Sequence, residues 1–402
     1  GIELTLVKQD AAAGPRRSPT PVPVQDAAQQ PAGILRPEEF EETLYFLEAG
    51  ELATLRREVE AEFERDVKAD VLSALFDRLE DGLPAWRVDI VRILRQLLPV
   101  YLGSGDLASA SRILIELSAV LDRQGLEGDA RTEAEELFRE LSEPAVLTQF
   151  MRSLEDGSID PARDDLTVFL RYLGPAAMPV LLSSIEKSDA GALQDRLRGA
   201  MEGLGRRYSD QLLQLLRDGD AFVVRGAARL AGQLALTEAA RPLAGLLERA
   251  EPAMRRIAVD ALTRIRTASA MDVLQRALTD DDRDVRIAAA RGLGSLRYPP
   301  ARERLEELLE SRIVRDADIT EKIAFFEACA AVGGLDSVPL LDRILNGRRL
   351  LGRESPEMRA CAAMALGRVG TPASRAALQR ATEETNPVIR NAVAKALRQE
   401  AP

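Results

Sequence analysis

Residues Asp282 to Leu309 read DRDVRIAAARGLGSLRYPPARERLEELL, and this stretch decides the fold. Asp282 is a residue type that caps helix N-termini, and Val285-Arg286 opens the first turn behind it. Ala288, Ala289, Leu293 and Leu296 then recur at helical spacing as an apolar stripe. Tyr298-Pro299-Pro300 breaks the pattern, because proline has no amide to give to a helix interior. Ala301, Leu305, Leu308 and Leu309 stripe a second helix. One such hairpin cannot bury both stripes by itself, so copies must stack on one another into a superhelix.

The design recurs from about residue 161 to the C-terminus. It aligns on one basic residue early in each first helix: Arg163, Arg196, Arg225, Arg255, Arg286, Lys322, Arg359 and Arg390. Behind most of these anchors the same offsets are apolar, as in Ile257, Ala258, Leu262, Ile265 and in Cys361, Ala362, Leu366, Val369. Four residues before the anchor stands Glu251, Asp282, Asp318, Ser355 or Asn386, and Pro252, Pro356 and Pro387 follow as first helical residues. The first copies fit less well: Arg196 shifts by one residue either way, and Arg225, with Asp220 five before it, precedes a displaced stripe.

Composition narrows the chemistry. The 402 residues are 46% hydrophobic and 30% charged, with aromatics at only 4%, which suits helices that pack through Ala and Leu. There is no histidine, so Ser-His-Asp and Cys-His nucleophile systems, imidazole acid–base catalysis and His-rich metal sites are all excluded. Cys329 and Cys361 fall inside apolar stripes and read as small core residues in a reducing compartment. No Gly-rich phosphate loop appears; Gly333-Gly334 reads as a helix C-cap. No metal or cofactor is expected. No run of about 18 apolar residues is present, and the N-terminus has no signal-peptide pattern, so the expected location is cytoplasmic.

Three regions are expected. Residues 1–36 combine a short strand-like alternation (Ile2, Leu4, Leu6) with a linker carrying Pro15, Pro19, Pro21, Pro23 and Pro31; a strand cannot stand alone, so the expectation is that it either pairs with something upstream or is unpaired and disordered. Residues 37–160 are helical without the repeat, beginning at Pro37-Glu38-Glu39. Trp86, the only tryptophan, follows Pro84 at a helix start as a half-buried anchor, and Tyr101 to Leu107 reads as a helix–helix turn. Residues 161–402 are the repeat array. Charge separates them: 37–160 hold 29 acids against 13 bases, whereas 161–402 hold 33 acids against 37 bases. An acidic block thus precedes a mildly basic array. Charged helix faces ordinarily serve solubility, and the sharper expectation is that the acidic block docks on the array or competes with an acidic ligand for it.

DDRDVRIAAARGLGSL, ESPEMRACAAMALGRVG and TNPVIRNAVAKAL resemble the HEAT-repeat family, within it the short HEAT-like or phycobilisome-lyase-like repeats. The resemblance covers roughly 60% of the chain and implies an all-α fold: a right-handed alpha solenoid of seven HEAT-like hairpins and a final half-repeat, preceded by an irregular helical N-terminal region. It also implies that the cap and the basic anchor tie neighbouring hairpins together. Arg225, Arg255, Arg286, Lys322, Arg359 and Arg390, with Asp282 and Asp318, are on that ground structural.

Such families mostly serve as non-catalytic protein-binding scaffolds, while some members handle chromophores, modify proteins or bind DNA. The iron-dependent HEAT-repeat hydroxylases need histidine ligands, which this chain lacks. A phycobilin-lyase-like enzyme stays the alternative. A nucleic-acid binder is less favoured, because the array is barely basic and poor in aromatics. The expected function is a scaffold of bacterial style, without catalysis, that binds a protein or an acidic-amphipathic peptide on the concave second-helix face. Two adjacent repeats carry insertions of about six residues that join this site: Arg312, Ile313, Val314 and Arg315, and Arg348, Arg349, Leu350, Leu351 and Arg353. Their mixture of arginine and exposed-looking aliphatics suits such a ligand.

Overall fold

The computed structural model describes residues 66–188, 191–347 and 354–399, together with Ala53, Thr54 and Arg57. The strand-like start, the proline-rich stretch and the helix expected at Pro37 lie outside the described residues. So do Arg348, Arg349, Leu350, Leu351 and Arg353. Among the described residues the fold is all-α, with no strand. The chain divides into two compact units, Gly1–Glu140 with Ile159–Pro161 and Leu141–Ser158 with Ala162–Pro402. The division falls about twenty residues before the boundary suggested by the repeat anchors.

The first unit contains α1 (Val67–Asp81), α2 (Pro84–Gly103), α3 (Leu107–Asp122) and α4 (Gly128–Leu141). Asp66 and Asp106 cap α1 and α3 by accepting from Ala69 N and Ser109 N, and Pro84 is the first residue of α2. Leu72, Leu79, Leu94, Leu98, Ile113 and Leu114 are completely buried between these helices. Arg95 reaches from α2 to α4 and donates to Glu133 at 2.7 Å and Glu140 at 3.0 Å, closing one side of the unit. Trp86 is half exposed, with the Arg78 guanidinium 5.4 Å over its ring.

The second unit opens with α5 (Pro144–Glu155) and continues as an α-solenoid of paired helices. The pairs are α6/α7 (Arg163–Arg171, Met178–Lys187), α8/α9 (Gly191–Arg207, Ser209–Asp218), α10/α11 (Ala221–Gln233, Ala240–Arg249) and α12/α13 (Pro252–Ile265, Ala268–Ala277). There follow α14/α15 (Arg283–Leu296, Arg302–Glu310), the one-turn α16 (Arg312–Arg315), α17/α18 (Ile319–Gly333, Val338–Asn346), α19/α20 (Pro356–Val369, Pro372–Arg380) and a single α21 (Pro387–Gln399). Among the described residues that makes seven hairpins and a half-repeat.

The caps read from the sequence are present. Asp282, Asp318 and Asn386 each accept from two amides of the following turn, and Ser355 accepts from Met358 N. Glu251 differs: it precedes Pro252 but makes no side-chain cap. The hairpin turns follow from local chemistry. Arg297 closes α14 in the left-handed conformation (φ 47°), Gly370 does the same for α19 (φ 66°), and Pro299 starts a 3-10 turn. Ile319–Asn346 is long and apolar enough to cross a membrane. It is nevertheless two helices broken at Gly334 (φ 50°), and its apolar residues, Phe325, Phe326, Leu341 and Leu345 among them, form the core of one repeat.

Consecutive first helices lie close together, whereas consecutive second helices meet more sparsely. Small residues allow the closeness. A side-chain carbon added at Gly232 would lie 2.7 Å from Ala261 Cα, and one at Gly367 would lie 2.7 Å from Ala396 Cβ. In a curved stack the more tightly spaced layer is the inner one, so the first helices line the concave side. The expectation of a concave second-helix face is corrected accordingly.

Candidate functional site

The anchors occupy the joints between repeats. Arg255 forks onto Asp280 at 2.7 and 2.9 Å and donates to Ala250 O at 2.9 Å. Arg286 donates to Glu321 Oε2 at 2.9 Å and to Asp280 O at 2.7 Å. Lys322 reaches Glu357 at 2.7 Å, and Arg359 joins Leu345 O, at 2.8 Å, to Glu384. Each of the three arginines therefore ties its own helix both to the turn before it and to an acid beyond it in the array, while Lys322 reaches the acid alone. Glu321 is almost wholly buried, and its hydrogen bond holds the Arg286 guanidinium above its ordinary pKa against the opposing effect of burial.

Arg225 does not belong to this ladder. In α12, α14, α17, α19 and α21 the anchor amide donates to the cap carbonyl, as Arg286 N does to Asp282 O; in α10 the residue that donates to Asp220 O is Val224, and in α6 it is Leu166 rather than Arg163 that donates to Ala162 O. Arg225 is thus one residue past the anchor position. Its nearest acid, Glu251, is 3.7 Å away, and its buried Nε has no partner. Arg390, at the other end of the array, is exposed.

The insertion helix α16 departs from the sequence reading at one residue. Arg312 is exposed and Ile313 is 39% exposed, but Val314 is completely buried and Arg315 is half-buried, 3.6 Å from Glu354. In a one-turn helix against α17, one of two adjacent aliphatics must face the core, so the exposed-looking pair supplies a single surface residue. Cys329 and Cys361 are buried, and burial pushes both thiols up to about 12, far from thiolate chemistry. Among the described residues no group of three or more Cys, Asp or Glu side chains is arranged to hold a metal ion.

The open inner face is set by offsets one, five and nine from the anchor, which fall on one side of a helix. On α12 these are Arg256, Asp260 and Arg264; on α14 they are Arg291, Ser295 and the buried Ile287; on α17 they are Ile323, Glu327 and Ala331. Between α12 and α14 the face deepens into a cleft of about 600 Å³, lined by Arg256, Asp260, Arg264, Arg283, Arg291 and neighbouring small residues. Arg283 is engaged by Asp318 at 3.0 Å, and farther along Arg368 is engaged by Glu327 at 2.7 Å. Among the described residues, no acid lies within ion-pair distance of Arg256, Arg264 or Arg291. Asp260 is open to water through the cleft mouth yet flanked by both helices. This burial raises its carboxyl pKa despite the nearby Arg256, Arg264 and Arg229.

Reading the sequence by its buried offsets passed over these residues. The signal was available one residue past each anchor, where Arg256 and Arg264 share one face. The polar stripe of a helix is ordinarily only its solvated side, and the cleft becomes visible only when α12 and α14 are placed next to each other.

The HEAT repeats family model matches residues 242–324 and 311–398. A comparison with curated proteins gives no match. Similar solved structures include the complex of CpcE and CpcF of phycocyanin lyase from a Nostoc species, at 22% identity over 47% of this chain and 75% of that one, TM-score 0.33. Human deoxyhypusine hydroxylase in complex with glycerol is similar at 20% identity over 64% of this chain and 97% of that one, TM-score 0.27. The karyopherin Kap121p bound to the extreme C-terminus of the protein phosphatase Cdc14p is similar at 14% identity over 83% of this chain and 42% of that one, TM-score 0.40. The family match falls on the capped, anchored hairpins of residues 242–398, so that part of the chain is built of HEAT repeats.

Proposed function

We propose that the chain is a non-catalytic, cytoplasmic scaffold that binds a protein partner along the inner face of its solenoid. The observation that carries this reading is the contrast between joints and face. The anchors and caps repeat nearly unchanged and hold the helices in register, whereas offsets one, five and nine change chemistry from helix to helix. A rigid frame presenting a varied row of side chains is what recognition of one extended partner requires. Arg312 and Ile313 extend the same basic-apolar character to the edge of the array, and the sequence places Arg348, Arg349 and Arg353 in the adjacent insertion.

The test is capture of partners by the immobilised full chain, followed by amide hydrogen exchange of the chain with each partner added. The expected result is protection on the first helices between α10 and α19, with no turnover of the partner. Protection confined to the second helices would overturn the assignment of the face. Colour acquired by the purified chain with a bilin and an acceptor protein would replace the scaffold reading with a chromophore-handling one.

A further inference from the structure

We infer that the cleft between α12 and α14 takes an acidic peptide segment, with Arg256, Arg264 and Arg291 receiving its carboxylates and Asp260 selecting peptide over a dense polyanion. This rests on the scaffold reading and specifies its ligand. Three observations lead to it. Among the described residues the three guanidiniums have no acid within ion-pair distance, whereas Arg283 and Arg368 on the same face do. Guanidinium forks match carboxylates in geometry as well as charge, so unengaged arginines around one concavity make a carboxylate site. The cleft, at about 600 Å³, lies in the size range of about 300–1,000 Å³ that encloses a small ligand or short segment rather than a lone ion.

Asp260 gives the site its selectivity. It stands between Arg256 and Arg264 on α12, and the cleft also brings Arg283, Asp284 and Arg291 of α14 around it. A peptide alternates carboxylates with amide N–H donors, so it can place a donor against Asp260 while its acids meet the arginines. A nucleic acid offers a phosphate at each step and must set charge against charge there. The apolar component of the ligand has a place too: Ile323, 40% exposed, stands on the next first helix at the offset that the buried Ile287 holds on α14.

The test uses the full chain and three fluorescein-labelled probes: a peptide with Asp-Glu-Leu repeated four times, its Asn-Gln-Leu counterpart, and a twelve-nucleotide oligo-dT. Anisotropy is read at two salt concentrations. The acidic peptide binds most tightly and weakens with salt; Arg256→Gln with Arg264→Gln and Arg291→Gln lowers its affinity by about tenfold or more. Asp260→Asn raises oligo-dT affinity by about tenfold relative to peptide affinity, a change of ratio that a purely structural role would not produce. Because all three arginines are exposed, the triple variant keeps the helical circular dichroism of the parent; if it does not, Arg291→Glu alone serves, and the salt dependence needs no variant. Absent peptide binding, equal binding of the neutral peptide, or oligo-dT bound more tightly than the acidic peptide by the parent chain would each overturn the inference. If captured partners still protect the inner face while the triple arginine variant binds them unchanged, the cleft is wrong and the scaffold reading stands; if the chain captures nothing, the scaffold reading itself fails.

Discussion

The two units close their charges in different ways. In the first, one guanidinium, Arg95, gathers Glu133, Glu136 and Glu140 from a single helix, and among the described residues of the unit no other cation gathers three acids. In the second, each joint from α12 to α19 has its own basic residue with its own acid, so the same task is divided among Arg255, Arg286, Lys322 and Arg359. Concentrating the charges places three acids of one helix in the charge of a single residue. Dividing them makes every joint a local element whose loss is felt by its two neighbours, as expected for a stack held by nearest-neighbour contacts. Trp86 makes the comparison measurable: as the only tryptophan, it reports on the first unit alone.

The largest effect is expected at Arg286. Its removal leaves Glu321, 2% exposed at the side chain, as an uncompensated buried carboxylate, which costs about 3–5 kcal/mol. Arg286→Ala should therefore speed amide exchange in α14 and α17 most, with less change at α20 and none in the unfolding midpoint read from Trp86. An even loss across all repeats would show that the joints act together and would break the contrast.

Arg95→Ala is expected to cost less, about 2–3 kcal/mol, because Glu133 and Glu140 keep some access to water and regain hydration. Here the Trp86 midpoint in urea should fall while exchange in α12 to α20 is unchanged. A midpoint equal to that of the parent would mean that the apolar core alone holds the first unit.

How much of this could be read beforehand follows the same division. The joints were legible because they repeat: a cap, a proline and an anchor at fixed offsets announce a helix start without any knowledge of neighbours. Arg225 was misplaced as an anchor because a single basic residue in roughly the right position outweighed the cap spacing, five residues instead of four, that assigns the position to Val224. Val314 was read as exposed because an insertion carries no periodicity from which to deduce its inner side. The cleft residues Arg256, Asp260, Arg264 and Arg291 were hidden for another reason. On one helix they are an ordinary solvated stripe, and only the Gly- and Ala-mediated closeness of adjacent first helices makes a concavity of them.

Helix caps give a smaller, sharper test. Asp282→Ala removes the acceptor of Asp284 N and Val285 N and should cost about 1 kcal/mol, seen as faster exchange in the first turn of α14. Glu251→Ala, at the matching position of α12, should change exchange there hardly at all, since the Glu251 side chain accepts no amide of its own helix. Equal costs at both positions would mean that proximity to the helix N-terminus, rather than the hydrogen bond, is what the acid contributes.

The smallest effect lies in the first unit and is set by pH. Burial pushes the Asp106 carboxyl up, but hydrogen bonds from Lys68 and from Ser109 N outweigh it and hold the pKa below its ordinary value. A carboxyl with a depressed native pKa binds protons more readily in the unfolded chain, so its stabilisation is complete above the unfolded pKa and is lost as pH falls through the folded one. Lys68 is 59% exposed, so the ion pair is screened and contributes only about 0.5 kcal/mol. The Trp86 midpoint should therefore decline slightly more steeply below about pH 4 in the parent than in Asp106→Asn, because asparagine still caps α3 but does not titrate. Lys68→Met separates the two contributions. If the slope persists in that variant, the cap to Ser109 N carries the pH dependence; if it disappears, the cation does. In either case exchange in the second unit, whose joints rest on other carboxylates, should not follow the substitution.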